Sequence, residues 1–410
     1  MTYQSIHDNR RSSLPARTCA GANSRQCQPS SIHKDEFMVT PQKMQAARLY
    51  DVGSDMQLEE IAVPDPRPDE VLIRVEACNV VQNLKNVLKG MDESPVAFPF
   101  PHLPAVFGLD VTGTVERCGS LTSGFAIGDR VYVNPGLSCG GCKACRSDRS
   151  IDCEAFALRG YFGIGPKSQK SLDDHPQGGF AQFMTAPQRN LVRLPDGLDF
   201  ETASRFGYLG TAFSALQQAG CGPEKTVLID GITGTLGLGA VAIAVAMRSA
   251  KILGTARETR LFPRVKALGA DGQSEILELG TADAKEWALA QTNGEGVDIV
   301  IDALGNGAPP EALRDVLLTL RRGGCLVNIG AISGDVPIDM FWALSNNIRI
   351  IGSSWFTTGQ GQQMAALVER GLLDLSFFEN QKYPLSAVND AINGTGERSG
   401  GFTNFVVNPN

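Results

Sequence analysis

The chain has 410 residues, 42% hydrophobic and 20% charged, the composition of a soluble globular protein long enough for about two domains. A net charge of −7 with no basic block argues against a nucleic-acid partner, and no apolar run reaches the roughly 18 residues of a membrane span. Ten cysteines are too few for a disulfide scaffold at this length; four of them cluster, which points to metal and to a reducing, cytoplasmic setting.

Residues 1–43 are polar, rich in Ser, Arg and Gln, and without periodicity, so they read as a disordered tail. They lack the apolar core of a secretory signal. A transit segment stays open, as do alternative starts at Met38 and Met44. Cys19 and Cys27 are expected to do nothing structural.

Residues 44 to about 192 are β-rich, within a first domain expected over 44–209. Gln45–Tyr50, Gln57–Val63 and Glu70–Ala77 alternate or run apolar, split by Pro64, Pro66 and Pro68. Asp110–Cys118 and Gly128–Val133 follow. Gly108, Gly113, Gly119, Gly124 and Gly128 are expected at turns and bends of a mainly antiparallel domain.

Within that domain Cys139, Cys142, Cys145 and Cys153 follow the spacing C-x2-C-x2-C-x7-C. Four thiolates so placed can close a tetrahedral Zn²⁺ site with no position left for water, a structural staple rather than a catalytic centre. An iron–sulfur cluster uses the same ligand type.

Residues 210–352 read as alternating strands and helices, hence a parallel sheet covered on both faces. The stretch from Thr226 to Arg257 is one βαβ unit: an apolar strand at Val227–Ile229, a glycine-rich turn, an Ala/Val-rich helix and a second strand at Ile252–Thr255. Gly231, Gly234, Thr235, Leu236 and Gly237 form the turn. Gly234 admits a pyrophosphate to the backbone, Gly237 lets the helix lie close on the strand, and Ile232 replaces the first glycine of the usual triplet. Further strands are expected at Val297–Ile301, Cys325–Ile329 and Ile348–Gly352, with a helix at Glu311–Leu320. The second strand ends Thr255-Ala256-Arg257, with Arg260 beyond and no carboxylate at Ala256. Two guanidinium groups there favour the 2′-phosphate of NADPH over NADH. The alternative is that both arginines are merely solvated residues at a helix start. Residues 353–410 hold a helix at Gln360–Arg370 and a closing strand at Thr403–Val407, expected to rejoin the first domain.

Taken together, PDEVLIRVEAC, GLDVTGTVERCGSLTSGFAIGDRVYV, the four-Cys lobe, GGFAQFMTAP, the βαβ unit, VDIVIDALG and RRGGCLVNIGA resemble the medium-chain dehydrogenase/reductase superfamily, the zinc-type alcohol dehydrogenases and quinone reductases. The resemblance runs from about Met44 to Pro409. It implies an α/β protein, a GroES-like antiparallel catalytic domain interrupted by a Rossmann domain, with hydride transfer in the cleft between them. It makes zinc the better choice for the cysteines. It adds Gly305 and Gly330 to the cofactor-binding residues. It also implies a homodimer paired through the last Rossmann strand, near Ile348–Gly352.

The superfamily's catalytic zinc is held by a Cys, a His, and a further Cys or acid. The matching positions here are Val81-Gln82, Gly108-Leu109-Asp110 and Tyr208, and the usual relay residues fall on Asn83 and Asn86. Val and Leu ligate no metal, and Tyr alone is a poor zinc anchor. Of the four histidines, His7 and His33 lie in the tail, His102 in a Pro-rich turn and His175 in a polar loop. Cys78 is expected in the core of its strand. The catalytic zinc thus reads as lost and the structural one as kept. Without a Lewis acid, reducing an activated alkene is easier than oxidising an alcohol. Tyr208 is the candidate proton or hydrogen-bond donor, and Gln82, Asn83 and Asp110 are candidates to orient the substrate. Trp355 and Phe356 either shape an apolar pocket or are ordinary core aromatics.

The leading expectation is a zinc-independent, NADPH-dependent reductase of a small unsaturated carbonyl, quinone or reactive carbonyl. The alternatives are a zinc-dependent alcohol dehydrogenase with misassigned ligands, and a non-catalytic NADPH-binding protein.

Overall fold

The computed structural model describes residues 40–89, 98–305, 307–397 and 400–410, with Pro41–Asn410 forming one compact unit. Apart from residues 40–43, the tail discussed above lies outside the described residues, together with Cys19, Cys27, His7 and His33.

Six parallel strands make the second domain. They lie in the order Ser274–Glu278, Lys251–Ala256, Thr226–Asp230, Val297–Asp302, Leu320–Asn328 and Arg349–Gly352, so the chain order reverses beside Thr226–Asp230. That reversal opens a crevice at the carboxyl ends of the strands, the place where doubly wound sheets bind ligands. The central strands are nearly unbroken apolar runs because helices cover both faces. The helix Thr235–Ala246 buries Gly, Ala, Val and Ile on every side and packs against the helix Phe206–Ala219. A Cβ on Gly239 would lie 3.4 Å from the Tyr208 carbonyl oxygen, so small residues let the two backbones come close.

The first domain is a mainly antiparallel sheet centred on Glu70–Asn79. Asp110–Cys118 pairs along one edge, followed by Arg130–Val133 and Leu191–Arg193. The other edge is shared: Phe183–Pro187 pairs with the first half of Glu70–Asn79, and Thr403–Asn408 pairs at Cys78 and Asn79. The last segment of the chain is therefore built into the domain that opened it.

The edge strand Ser274–Glu278 was not expected, its sequence SEILE being mostly polar. Two local expectations need correction. The expected helix Glu311–Leu320 is Pro310–Leu317, and Leu320 already belongs to the next strand, which pairs with Val297 across an irregular register. Gly113 lies in mid-strand rather than at a turn: a side chain there would collide with the Arg74 carbonyl of the neighbouring strand.

Candidate functional site

The turn after Thr226–Asp230 is shaped for a close-approaching ligand. Gly231 has φ +79°, and a Cβ on Gly237 would collide with the Gly231 carbonyl oxygen, so neither position tolerates a side chain. Gly234 caps the helix, and Thr235 and Leu236 form its first turn. The backbone amides of Gly231 and Ile232 each donate to the Thr255 carbonyl at 3.1 Å. Ile232, in the place of a glycine, is buried against Gly254 of the next strand. Gly330 approaches the Leu304 backbone too closely for any side chain, and Gly305 is exposed beside it. Gly231, Gly305 and Gly330 thus line the carboxyl ends of three adjacent strands. The helix N-terminus and its amides suit a pyrophosphate.

Thr255 itself is buried and bonds Asp230, so it supports the crevice from below. Arg257 is exposed just past the end of Lys251–Ala256. Arg260 is also exposed but engages Glu258, whereas Arg257 makes no such ion pair among the described residues.

The opposite wall comes from the antiparallel domain. The segment after Glu70–Asn79 exposes Gln82 and Asn83. From Thr202 to Leu216 every residue is buried except Tyr208, which is half-buried. The Gln82 backbone N–H donates to the Tyr208 phenol oxygen at 2.8 Å. Thr235 Oγ1 donates to Gln82 Oε1 at 3.3 Å, so Gln82 joins the glycine-rich turn to Tyr208. Tyr161, which sequence reasoning missed, completes the group: Asn83 hydrogen-bonds its phenol and Tyr208 lies beside it. Burial, reinforced by Tyr208, pushes the Tyr161 phenol well above its usual range, so it stays a hydrogen-bond donor at any working pH. No spacing rule ties Tyr161 to residues 82, 83 and 208.

Asp110 occupies a different layer. It is 1% exposed, accepts a 2.7 Å hydrogen bond from the Tyr132 phenol, and faces Asn79 Nδ2 at 3.4 Å. Burial raises its carboxyl to about 7 against both bonds. Gly207, one residue before Tyr208, packs directly on its carboxylate, where a Cβ would collide with it. Trp355 and Phe356 are core residues: Trp355 Nε1 donates to Asn134 Oδ1 at 2.9 Å, and the Phe356 ring fills the space left by Gly210.

The four-Cys lobe closes on itself. The Sγ atoms of Cys142 and Cys145 are 3.6 Å apart, those of Cys142 and Cys153 3.7 Å, and those of Cys139 and Cys153 3.5 Å. A disulfide needs about 2.05 Å, whereas a tetrahedral zinc with Zn–S near 2.3 Å spaces its sulfurs by about 3.8 Å. Gly140, with φ +71°, makes the tight bend. The backbone N–H of Cys145 helps pull the Cys142 thiol down to about 6, and the amides of Gly141 and Cys142 lower Cys139. Burial pushes Cys153 up to about 12. The donor set and its spacing fit zinc, held by Cys139, Cys142, Cys145 and Cys153.

Among the described residues this is the only convergence of three or more His, Cys, Asp or Glu donors. Val81 and Leu109 are buried apolar residues, and Cys78 is buried in its strand. His102 is exposed and pairs with Asp173 at 3.0 Å. His175 departs from the expected polar loop: its side chain is 11% exposed and lies 3.2 Å from the buried Glu70 carboxylate, beside the zinc lobe rather than the cleft.

A doubly wound sheet with a glycine turn at its crevice, joined to an antiparallel domain with a four-thiol lobe, defines a two-domain dinucleotide-dependent oxidoreductase. Residues 67–196 match the alcohol dehydrogenase GroES-like domain, and residues 235–370 match the zinc-binding dehydrogenase domain. The chain is 30% identical over 350 residues to an alcohol dehydrogenase of Geobacillus stearothermophilus, covering 85% of this chain and 94% of that one. It is 29% identical over 354 residues to a sorbitol dehydrogenase of Bacillus subtilis (strain 168), covering 86% and 93%. The crystal structure of AibC superposes with a TM-score of 0.78 at 26% identity, covering 93% of this chain and 100% of that one. The chain belongs to the zinc-binding alcohol dehydrogenase family of the medium-chain dehydrogenase/reductase superfamily. It is an oxidoreductase of a family that binds a nicotinamide cofactor and zinc and acts on small molecules. No helix among the described residues is long and apolar enough to cross a membrane.

Proposed function

We propose that the protein is an NADPH-dependent reductase of an activated alkene, a quinone or a reactive carbonyl, working without a catalytic zinc and keeping one structural zinc. The observation that carries this reading is the Tyr208 phenol, fixed by the Gln82 amide in a cleft where Val81 and Leu109 offer no metal donor. A bound nicotinamide supplies the hydride. The chain supplies two phenols, Tyr208 and Tyr161, as hydrogen-bond donors to an oxygen that gains negative charge. Gln82 and Asn83 hold those phenols and present their amides to the substrate. An unsaturated carbonyl suits such donors because its negative charge spreads over an enolate and needs no metal.

In this reading residues 44–209 and 353–410 form the substrate side and residues 210–352 the cofactor side. Arg257 meets the 2′-phosphate, because Arg260 is held by Glu258. Met340, Phe341 and Leu344 are 71%, 75% and 76% exposed beside the edge strand Arg349–Gly352, a surface suited to pairing two copies into a homodimer. Four zinc-binding thiols suit a reducing, cytoplasmic setting. The names of the relatives favour a second reading, a zinc-dependent alcohol dehydrogenase.

Metal analysis combined with a screen of enals, quinones and aldehydes, read by NADPH oxidation, separates the readings. One zinc per chain and NADPH-consuming turnover are expected. Tyr208→Phe should lower kcat by about 10- to 100-fold with little change in KM for NADPH. Two zincs per chain would restore the alcohol dehydrogenase reading. Tight NADPH binding with no turnover on any substrate would make the protein a cofactor-binding one.

A further inference from the structure

Arg205 is 1% exposed and is the largest fully buried side chain among the described residues. It stands at the N-cap of the helix Phe206–Ala219, three residues before Tyr208. Its Nη1 donates to the Gly401 carbonyl at 2.9 Å, and its Nη2 donates to the carbonyls of Phe402 at 2.7 Å and Glu379 at 3.3 Å. Its guanidinium lies over the Phe378 ring at 3.9 Å. Burying a guanidinium is costly unless its donors are satisfied in a fixed geometry. Here that geometry belongs to the segment from Gly400 to Phe402.

This segment rests on the glycine-rich turn. The Gly401 N–H donates to the Thr233 carbonyl at 2.8 Å. A Cβ on Gly401 would collide with the Gly234 carbonyl and lie 2.7 Å from Thr235 Cα, both backbone atoms that have no room to yield. Gly400 has φ +61°, and a Cβ there would lie 2.9 Å from the Thr233 carbonyl oxygen. Two adjacent glycines therefore let one backbone lie directly on another.

These contacts close a ring. Thr233 accepts from Gly401, Gly401 accepts from Arg205, Arg205 begins the helix of Tyr208, Tyr208 accepts from Gln82, and Gln82 accepts from Thr235, two residues from Thr233. We propose that Arg205 is a positioning residue that ties the Tyr208 helix to the dinucleotide turn through Gly401, so that cofactor binding and the placement of the Tyr208 phenol are set together. The proposal rests on the reading of the turn as a dinucleotide site; whether Tyr208 itself donates a proton is a separate matter.

The test uses the full-length, zinc-replete protein and NADPH. Binding is followed by fluorescence titration, and amide hydrogen exchange is followed at Thr233–Gly237 and Phe206–Thr211. In the unaltered protein NADPH should protect both segments. Arg205→Met should weaken NADPH at least about tenfold and abolish protection at Phe206–Thr211 while zinc content stays at one. Arg205→Lys, which keeps a donor but not the fork, should recover part of both. Gly401→Ala approaches the ring from the turn and should weaken NADPH to a similar degree, which serves if Arg205→Met does not fold. A lowered melting temperature with NADPH affinity within twofold and both segments still protected would overturn the proposal, leaving Arg205 a stability residue only. If the unaltered protein does not bind NADPH or NADH at all, the dinucleotide reading fails first and the ring falls with it. An unchanged kcat in Tyr208→Phe removes only the proton-donor role and leaves the ring standing on its binding data.

Discussion

The four-Cys lobe and the cleft group around Tyr208 are assembled differently: the lobe lies within the antiparallel domain, whereas the cleft group joins that domain to the glycine-rich turn. The lobe draws all four ligands from one loop, Cys139 to Cys153, and its sulfurs converge over a bend made by Gly140. The cleft draws Gln82, Asn83, Tyr161, Tyr208 and Thr235 from four separate places along the chain. One site is a chelate whose geometry is local. The other exists only because two sheets and two helices are packed correctly. Changes at the lobe should therefore act on folding, and changes at the cleft on binding and chemistry.

The largest expected effect lies at the lobe. Cys142→Ser should lower the melting temperature by roughly 10 °C or more and lower the zinc content, while kcat per folded molecule stays within about twofold. Calorimetry with metal analysis checks this, and an unchanged melting curve would remove the structural role of the metal. At the rim of the cofactor crevice, Arg257→Ala should weaken NADPH about tenfold or more and NADH by less than about twofold, because only NADPH carries the 2′-phosphate. Titrations with both nucleotides decide it; an unaltered preference would place the phosphate elsewhere.

An effect confined to stability, and to one pH range, is expected at the buried Asp110. Burial raises Asp110 to about 7, well above its value in an unfolded chain. Its contribution to stability is then fully present below about pH 4 and is lost as pH rises through about 7. Asp230, also raised to about 7 by burial, and Asp302, raised to about 6, titrate in the same window. Asp110→Asn keeps an acceptor for Tyr132 and removes the charge. It should match the unaltered protein near pH 4 and exceed it by roughly 1–3 kcal/mol at pH 8.5. Melting at both pH values tests the sign, and equal losses in the two proteins would show that Asp110 is not the group responsible.

Legibility follows the same division. The zinc lobe could be read because ligand spacing along one loop is its geometry. The glycine turn could be read because Gly231 and Gly237 are required by local backbone shape. Gln82 and Tyr208 drew notice at positions where the resemblance expects metal ligands, and Asn83 where it expects a relay residue, but the Gln82 N–H bond to the Tyr208 phenol was not visible. Tyr161 carried no signal, and Asp110 drew notice by position although its carboxylate is buried. Arg205 was detectable in principle as a lone charge just ahead of an apolar helix, as was the Gly400-Gly401 pair ahead of a strand.

The sequence by itself determined the two kinds of sheet, the glycine-rich turn at the crevice and a four-thiol donor set that fits one metal, because hydrophobic period, backbone freedom and ligand spacing act over a few neighbouring residues. Only the tertiary structure decided which phenols come together, that Asp110 is buried, and that Arg205 reaches the last segment of the chain. Those outcomes depend on which distant backbones are pressed together and on which polar groups burial obliges to find partners.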